Sequence, residues 1–434
     1  MSSSSYKIGF WATVSIVIGS QIGSGIFMLP STLAPFGAMG VLSWGVTGLG
    51  AVLLALVFSR LCCAIPKTGG PHAYVLKAFG QTAGFFTAWT YWVVSWVSST
   101  VVVIATVGYF GSLVGGITPV QGLILEILLL LFFMWVNLLG LKASGKAEFV
   151  FTVLKVVPLL LLPLACLPFI DVSHFTPVVP NEAMHPLSAL NAAAILTFWG
   201  FIGVETATTP AESVLNPHKT IPKAIIFGTL LVAFLYMASS AALMGVIPAQ
   251  ELAMSQAPFV DLTERLFGAS SGKFIALCAV IVCIGTLNAW ILTSGQVALG
   301  AAKDGFLPCI LAKTNDHGAP SWAIVVSCVG VIPLLFFTLD RDLTAQLISI
   351  IDVSVAAFIY VYAICVLSYL KLEWKNKKVF PLLLGFLALS FCLWAIFVVD
   401  IITLISSLSI VLTGLPVYIY KQKGATCFQQ SPNR

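Results

Sequence analysis

The sequence predicts an all-α membrane protein with twelve transmembrane helices. Of the 434 residues, 59% are hydrophobic and only 9% are charged, whereas a soluble domain carries about 25% charged residues. Apolar runs of roughly 18 residues or more, long enough to cross a bilayer as helices, recur along the whole chain. Two of these runs are interrupted by glycines near their centres, in corresponding positions of the two halves of the chain.

The predicted spans follow one another with short connections, and no soluble domain is expected between them. In chain order they cover 9–32, 40–65, 83–112, 120–140, 147–169, 188–210, 223–247, 271–300, 321–339, 343–370, 380–400 and 402–420. Two amphipathic stretches outside the spans, 71–80 and 260–268, are predicted to form short helices along the membrane surface.

The basic residues are divided unevenly between the two sides of this arrangement. If the N-terminus is cytoplasmic, most of the 21 Lys and Arg residues fall on the cytoplasmic side, which is the bias that orients membrane proteins. We therefore expect a multi-pass protein of the cell inner membrane with both termini in the cytoplasm. Because orientation accounts for the net charge of +5, the lipid bilayer is an expected partner and nucleic acid is not.

Sequence signals for enzymatic chemistry are lacking. The chain contains no Walker motif and no HExxH, and its ten cysteines form no CxxC pair or metal-ligand spacing. We therefore expect no catalytic residues, no cofactor and no metal site.

The first glycine-rich stretch, 19–25, reads GSQIGSG in the middle of span one. Each glycine inside a helix costs about 1 kcal/mol relative to alanine, so a continuous helix is disfavoured there. Span six contains a second weak point, with Gly200 and Gly203 next to Trp199 and Glu205. Alternatively, these glycines could simply allow two helices to pack closely.

The paired position of the two weak points predicts an inverted repeat. With five spans in each half, the second half enters the membrane from the opposite side. Glycine-interrupted helices in matching positions are typical of transporters that are built from inverted repeats. We expect residues 1–170 to form the first repeat and 171–370 the second. Residues 371–434 would add two helices and a cytoplasmic tail.

Five segments of the chain resemble the amino acid–polyamine–organocation superfamily: GSQIGSGIFMLP, TGGPHAYV, FWGFIGVETA, NPHKTIPKAI and NAWILTSGQVALGAAKDGFLP. Within it the chain is most similar to the basic amino acid/polyamine antiporters, such as the arginine/agmatine and putrescine/ornithine exchangers. The resemblance implies an amino acid exchanger that works by alternating access on an amino acid or amine. Proton-coupled uptake, a non-transporting amino acid sensor and a channel stay open as alternatives, as does a homodimer.

An unwound helix exposes backbone groups that a zwitterionic head group could satisfy. The half-helix beginning near Ser24 presents free N–H groups and a positive dipole end, which suit a carboxylate. Freed carbonyl groups suit an ammonium group. The resemblance implies the same assignment, with the carboxylate at Ser24 and Gly25. The amine is expected at carbonyls of the two breaks, those of Gln21, Ile22, Trp199 and Ile202.

The substrate side chain is expected near four residues. Trp199 and Trp290 match aromatic positions that cover substrate in the arginine exchanger, although tryptophan in a span is often a packing residue. Ser95 and Ser99 lie one turn apart on one face of span three. The arginine exchanger has an asparagine where Ser99 stands, so arginine itself is a doubtful substrate.

Three ionisable residues inside predicted spans are candidates for proton coupling or gating. The resemblance implies a role in pH sensing and gating for Glu205, whose alternative role is to bond freed backbone. Other superfamily members carry a lysine at the position of Lys155, where the ammonium group replaces a sodium ion. That group is expected to bond carbonyls of the first break and a hydroxyl of span eight, Thr293 or Ser294. Asp352 is a second proton-linked candidate.

Overall fold

The computed structural model describes residues 7–177, 185–255, 257–268, 270–337, 343–375 and 378–422. Within these ranges the chain is helical, and its only β-type pairing is an isolated bridge between Ile8 and Val214. The α-helices are α1 (Phe10–Gln21), α2 (Gly25–Leu33), α3 (Ala38–Ala64), α4 (Pro71–Phe79), α5 (Gln81–Leu113), α6 (Pro119–Leu138), α7 (Leu141–Cys166), α8 (Pro186–Phe198), α9 (Pro217–Val246), α10 (Ala249–Met254), α11 (Pro258–Phe267), α12 (Ser270–Lys303), α13 (Ser321–Phe337), α14 (Leu343–Trp374), α15 (Val379–Val398), α16 (Ile401–Leu412) and α17 (Leu415–Gln422).

Ten helical segments of the described chain are long and apolar enough to cross a membrane, and the bent pair α1 and α2 makes an eleventh. The all-α membrane class is thereby confirmed, whereas the predicted number of twelve is not reached. The difference is α13, which has 17 residues and is shorter than the other candidates. The two predicted surface helices correspond to α4 and α11.

Helix α12 forms the centre of the bundle, because most of its residues are buried. It packs against α5, α7 and α13 and also contacts α1. Helix α1 lies between α7, α9 and α12, so its carbonyl groups face side chains from several helices. By contrast α6 and α16 expose many large apolar side chains, as expected for helices at the lipid boundary.

Candidate functional site at the two helix breaks

Both glycine-rich stretches interrupt their helices. Helix α1 ends at Gln21 and α2 begins at Gly25, with a bend of 42° between them. Helix α8 ends at Phe198 and continues as a 3-10 turn, Trp199–Phe201, after which Ile202 is extended. The two interruptions lie side by side, since the Ser20 hydroxyl is 3.2 Å from the Gly203 carbonyl oxygen and 2.8 Å from the Thr206 hydroxyl.

Gly203 shows why the second break needs glycine. Its φ is +105°, a conformation that residues with a side chain rarely adopt. A Cβ atom at this position would also lie 2.7 Å from the Ser20 hydroxyl oxygen. Glycine therefore permits both the turn of the backbone and the close approach of the first break.

The start of α2 offers hydrogen-bond donors. The amides of Ser24, Gly25 and Ile26 have no carbonyl partner in the preceding turn, because the chain is not helical between Gln21 and Gly25. The Ser24 side chain is buried and makes no capping hydrogen bond. Free amides at the positive end of a helix dipole form a favourable environment for an anion.

A narrow cavity of about 20 Å³ lies between the two breaks, which is room for about one water molecule. A bound amino acid would therefore require the surrounding side chains to move. Its lining consists of Ser20, Gln21, Gly23, Ser24, Gly25, Ser98, Val102, Trp199, Gly200, Ile202, Tyr236, Thr286 and Trp290. Among these residues none carries a charged side chain.

The two tryptophans contact the chain on either side of the first break, Trp199 at Gly25 and Trp290 at Ser20. Trp199 lies against Gly25, where an added Cβ atom would be 3.0 Å from the indole ring. Trp290 donates from its indole N–H to the Ser20 carbonyl oxygen at 3.2 Å. Both side chains line the cavity.

The serines predicted for the side-chain pocket do not reach this cavity. Ser95 donates to the carbonyl of Trp92 at 2.6 Å, and Ser99 donates to that of Ser95 at 3.0 Å. Ser98 and Val102 of the same helix line the cavity instead. The face of α5 that meets the breaks is thus rotated relative to the face that the sequence pattern indicated. The sequence offers a hydroxyl at all three positions and no signal to choose between them.

Most of the carbonyls predicted for the substrate amine already accept hydrogen bonds from the protein. The Gln21 oxygen accepts from the Tyr236 hydroxyl at 2.7 Å, and the Ile22 oxygen accepts from Thr286 at 2.5 Å. The Trp199 oxygen accepts from the amide of Ile202 at 3.3 Å. Within the described part of the chain, only the Ile202 oxygen among the four has no donor.

The Lys155 side chain is fully buried and reaches the first break from α7. Its ammonium group donates to the carbonyl oxygens of Gly19 at 2.9 Å and Ile22 at 3.2 Å. The hydroxyl that it contacts in α12 is that of Thr286, also at 3.2 Å. The sequence-based choice of Thr293 or Ser294 was wrong, because both lie about two turns further along α12.

Sequence analysis did not identify a buried acidic residue, Glu148, that lies beside this lysine. Glu148 lies 3.8 Å from the Lys155 ammonium group and accepts a 2.8 Å hydrogen bond from the Asn288 side chain. Asn288 in turn accepts from the Asn137 side chain at 3.1 Å. The spacing was informative, since residues seven apart lie on the same face of a helix two turns away.

Glu205 is held by two tyrosines and does not line the cavity. The hydroxyl of Tyr91 donates to one carboxylate oxygen at 2.6 Å, and that of Tyr362 donates to the other at 2.5 Å. The Tyr362 hydroxyl also accepts from the amide of Gly203 at 3.1 Å, so the carboxylate is tied to the second break. Asp352 lies half-buried on α14, and the structure does not bring it to the cavity.

Metal binding has no support in the described ranges, where no group of three His, Cys, Asp or Glu side chains is arranged to hold an ion. The positive and negative groups at the site are instead backbone dipoles, one lysine and two glutamates.

Comparison with known proteins identifies the family. Residues 8–419 match the family model described as amino acid permease. A Bacillus subtilis protein named as a candidate arginine/ornithine antiporter is 30% identical over 95% of this chain and 96% of its own length. The Haemophilus influenzae putrescine transporter PotE is 29% identical over 88% of both chains. The Escherichia coli cadaverine/lysine antiporter is 28% identical over 77% of this chain and 75% of its own.

The family model spans nearly all of the described helices, and the relatives are transporters rather than enzymes. The predicted resemblance is thereby confirmed. The chain belongs to the amino acid permease family of the amino acid–polyamine–organocation superfamily, as a membrane transporter related to amino acid and polyamine antiporters.

Proposed function

We propose that the protein exchanges amino acids across the membrane by alternating access, with the substrate head group between the two helix breaks. The observation that carries this proposal is the pairing of free amides at the start of α2 with the unoccupied carbonyl of Ile202 across one cavity. These groups have the opposite partial charges that a carboxylate and an ammonium group require.

The proposed head-group contacts divide between the two breaks. The amides of Ser24 and Gly25 bind the carboxylate. The carbonyl oxygen of Ile202, and the second lone pair of the Trp199 carbonyl oxygen, accept hydrogen bonds from the ammonium group. Gln21 and Ile22 then act indirectly, because their carbonyls are held by Tyr236, Thr286 and Lys155. In this proposal they fix the shape of the break rather than touch the substrate.

We propose a small neutral amino acid as the preferred substrate. The named substrates of the relatives include arginine, ornithine, lysine and two diamines. No lining residue of this cavity carries a carboxylate, and a buried cation without a partner is costly. The side chain would point toward Ser98, Val102 and Trp290.

The proposed topology keeps the inverted repeat and both termini in the cytoplasm. In it α13 is a short ninth span, which brings the number of spans to twelve. Residues 1–170 and 171–370 form the two repeats, and residues 371–434 follow them. The excess of lysines at the end of the bundle where α1 and α7 begin supports this orientation. Movement of α1, α2, α8 and α9 relative to α5 and α12 would expose the cavity to each side in turn.

Proton-coupled uptake is the second candidate, and the buried pair of Lys155 and Glu148 favours it. Two ionisable groups 3.8 Å apart that both contact the first break could couple a proton to its movement. Glu205 and Asp352 are further ionisable groups within membrane-length helices.

Counterflow in proteoliposomes tests the proposal. Vesicles loaded with one unlabelled neutral amino acid should accumulate the labelled form, and each of the twenty amino acids is then offered as a competitor. Exchange is expected without a sodium or proton gradient. Uptake that requires a proton gradient and is independent of internal substrate would favour the second candidate. An absence of both activities for every amino acid and for putrescine would contradict transport by this site.

A further inference from the structure

A second, larger cavity lies on the outer surface of the bundle, in the groove between α1 and α7. Its volume is about 380 Å³, which is within the usual range of about 300–1,000 Å³ for small-molecule sites. Apolar side chains and two lysines line it, including Trp11, Ala12, Gly145, Phe149, Lys142 and Lys146.

The apolar part of this groove is exposed to the surroundings of the bundle. Trp11 is 60% exposed, Phe149 43% and Val150 54%. Because α7 has the length and composition of a transmembrane helix, these side chains face lipid tails rather than water. A tryptophan at the end of a span is also typical of the membrane–water interface.

The polar rim of the groove is positively charged. Lys142 and Lys146 are exposed residues four apart on one face of α7, and they lie in its first two turns. Lysines are unfavourable near a helix N-terminus, because the dipole there is already positive. An anion that lies at the start of α7 would be stabilised by both lysines and by the positive end of the helix dipole.

We propose that this groove binds one anionic phospholipid, with the phosphate at Lys142 and Lys146 and an acyl chain along Trp11, Ala12 and Phe149. Basic pockets between membrane helices attract such head groups, and each lysine near the surface contributes to this preference. The lipid would lie against α1, the helix whose far end forms the first break. The inference depends on the protein being in a bilayer and not on the proposed exchange.

Native mass spectrometry of the full-length protein tests this site. Protein is released from mixed micelles of phosphatidylglycerol and phosphatidylcholine, and the lipid that stays bound is counted. Wild type is expected to retain one phosphatidylglycerol in preference to phosphatidylcholine. Lys142→Ala with Lys146→Ala should reduce that preference by roughly 5- to 30-fold.

Two further variants distinguish lipid binding in this groove from a general attraction between lysines and anionic lipid. Lys375→Ala with Lys378→Ala removes the same charge at another exposed position and should leave the retained lipid unchanged. Gly145→Leu would place an apolar side chain at the groove while keeping both lysines, and its Cβ atom would be in ordinary contact with Ile8 at 3.7 Å. It should also displace the lipid. Three results would overturn the proposal. Wild type could retain both lipids equally, or the two double lysine variants could lose equal amounts of phosphatidylglycerol. Millimolar inorganic phosphate could also displace the lipid.

Discussion

The ammonium group of Lys155 lies 2.9 Å from the carbonyl oxygen of Gly19, in the last turn of α1 before the helix is interrupted. A second hydrogen bond reaches Ile22 on the far side of the turn. One cation therefore satisfies carbonyl groups that the interruption leaves without amide partners, which is a condition for irregular backbone inside a membrane. This geometry is consistent with the prediction, drawn from the family resemblance, that the Lys155 ammonium group takes the place of a sodium ion.

Lys155→Ala is expected to lower exchange by more than about tenfold without abolishing it. The substitution leaves the Glu148 carboxylate buried beside a neutral side chain, and breaking such a pair typically costs about 3–5 kcal/mol of stability. Exchange is measured in proteoliposomes alongside thermal unfolding. Thr293→Ala serves as the control, because its hydroxyl has no partner in the described structure. Stimulation of wild-type transport by sodium would contradict the fixed-cation role.

The position of this break was accessible from the sequence, whereas the groups that satisfy it were not. Three glycines in seven residues weaken a helix wherever it packs, so 19–25 could be identified without tertiary information. Thr286 and Tyr236 come from helices distant in sequence, and their contact with the break depends on how those helices are rotated. Helix rotation is determined by packing, which a single sequence does not specify.

Glu148 and Ser98 are site residues that the sequence analysis did not identify, and the reasons differ. Glu148 lies two turns before Lys155 on the same helix, so the pair follows from helical geometry and could have been predicted. Ser98 could not be separated from Ser95 and Ser99, because all three are small polar residues in one turn. The choice among them depends on which face of α5 meets α12 and the two breaks.

Ser24→Pro is expected to abolish measurable exchange while preserving the fold. The φ of Ser24 is −59°, which proline adopts without strain, but proline lacks the amide that would bind the carboxylate. Loss of a hydrogen bond to a charged group costs about 1.5–3 kcal/mol, so binding should weaken by more than about tenfold. Ser24→Ala keeps the amide and should retain most of the activity. Similar exchange by both variants would refute this carboxylate site.

Tyr362→Phe is expected to destabilise the protein more than Tyr91→Phe. Both tyrosines donate to Glu205, but only Tyr362 also accepts from the amide of Gly203. Its loss leaves a second buried group unsatisfied, at about 1–3 kcal/mol. Thermal unfolding of the two variants provides the comparison. Equal unfolding temperatures of the two variants would mean that the hydrogen bond between the Gly203 amide and Tyr362 does not contribute to stability.

A charged cluster outside the spans should make stability depend on pH. Asp304 follows α12 and bonds to Lys67, while the Nε2 atom of His72 lies 3.2 Å from its other oxygen. Burial alone would raise the pKa of Asp304, but the hydrogen bonds with His72 and Lys67 outweigh it and hold that pKa below its ordinary value of 3.8. Lys421 is a further cation that interacts with this carboxylate.

Because the folded-state pKa is lowered, the ionised Asp304 stabilises the protein above about pH 4, and this contribution is lost as the pH falls through the lower folded value. Asp304→Asn should therefore unfold at a lower temperature than wild type at neutral pH. The two proteins should converge as the pH falls below about 3.8. A constant difference between them across this range would show that the charge of Asp304 is not the cause.

Substrate preference can test whether Ser98 or Ser99 lies next to the substrate side chain. Wild type should exchange small neutral amino acids and bind arginine weakly, because no carboxylate lines the cavity. Ser98→Asn would bring an amide oxygen to the cavity wall, where it can accept from a guanidinium group. One added hydrogen bond of about 0.5–1.5 kcal/mol should improve arginine competition by roughly 2- to 12-fold.

Ser99→Asn is the matched control for this change. It places the same side chain on α5, but the Ser99 hydroxyl bonds the carbonyl of Ser95 and does not line the cavity. Arginine competition against labelled neutral substrate should therefore stay near the wild-type level. If Ser99→Asn improves arginine binding and Ser98→Asn does not, the related exchanger's asparagine position applies here, and α5 presents a different face during transport. Tight competition by arginine in wild type would instead remove the case for a neutral substrate.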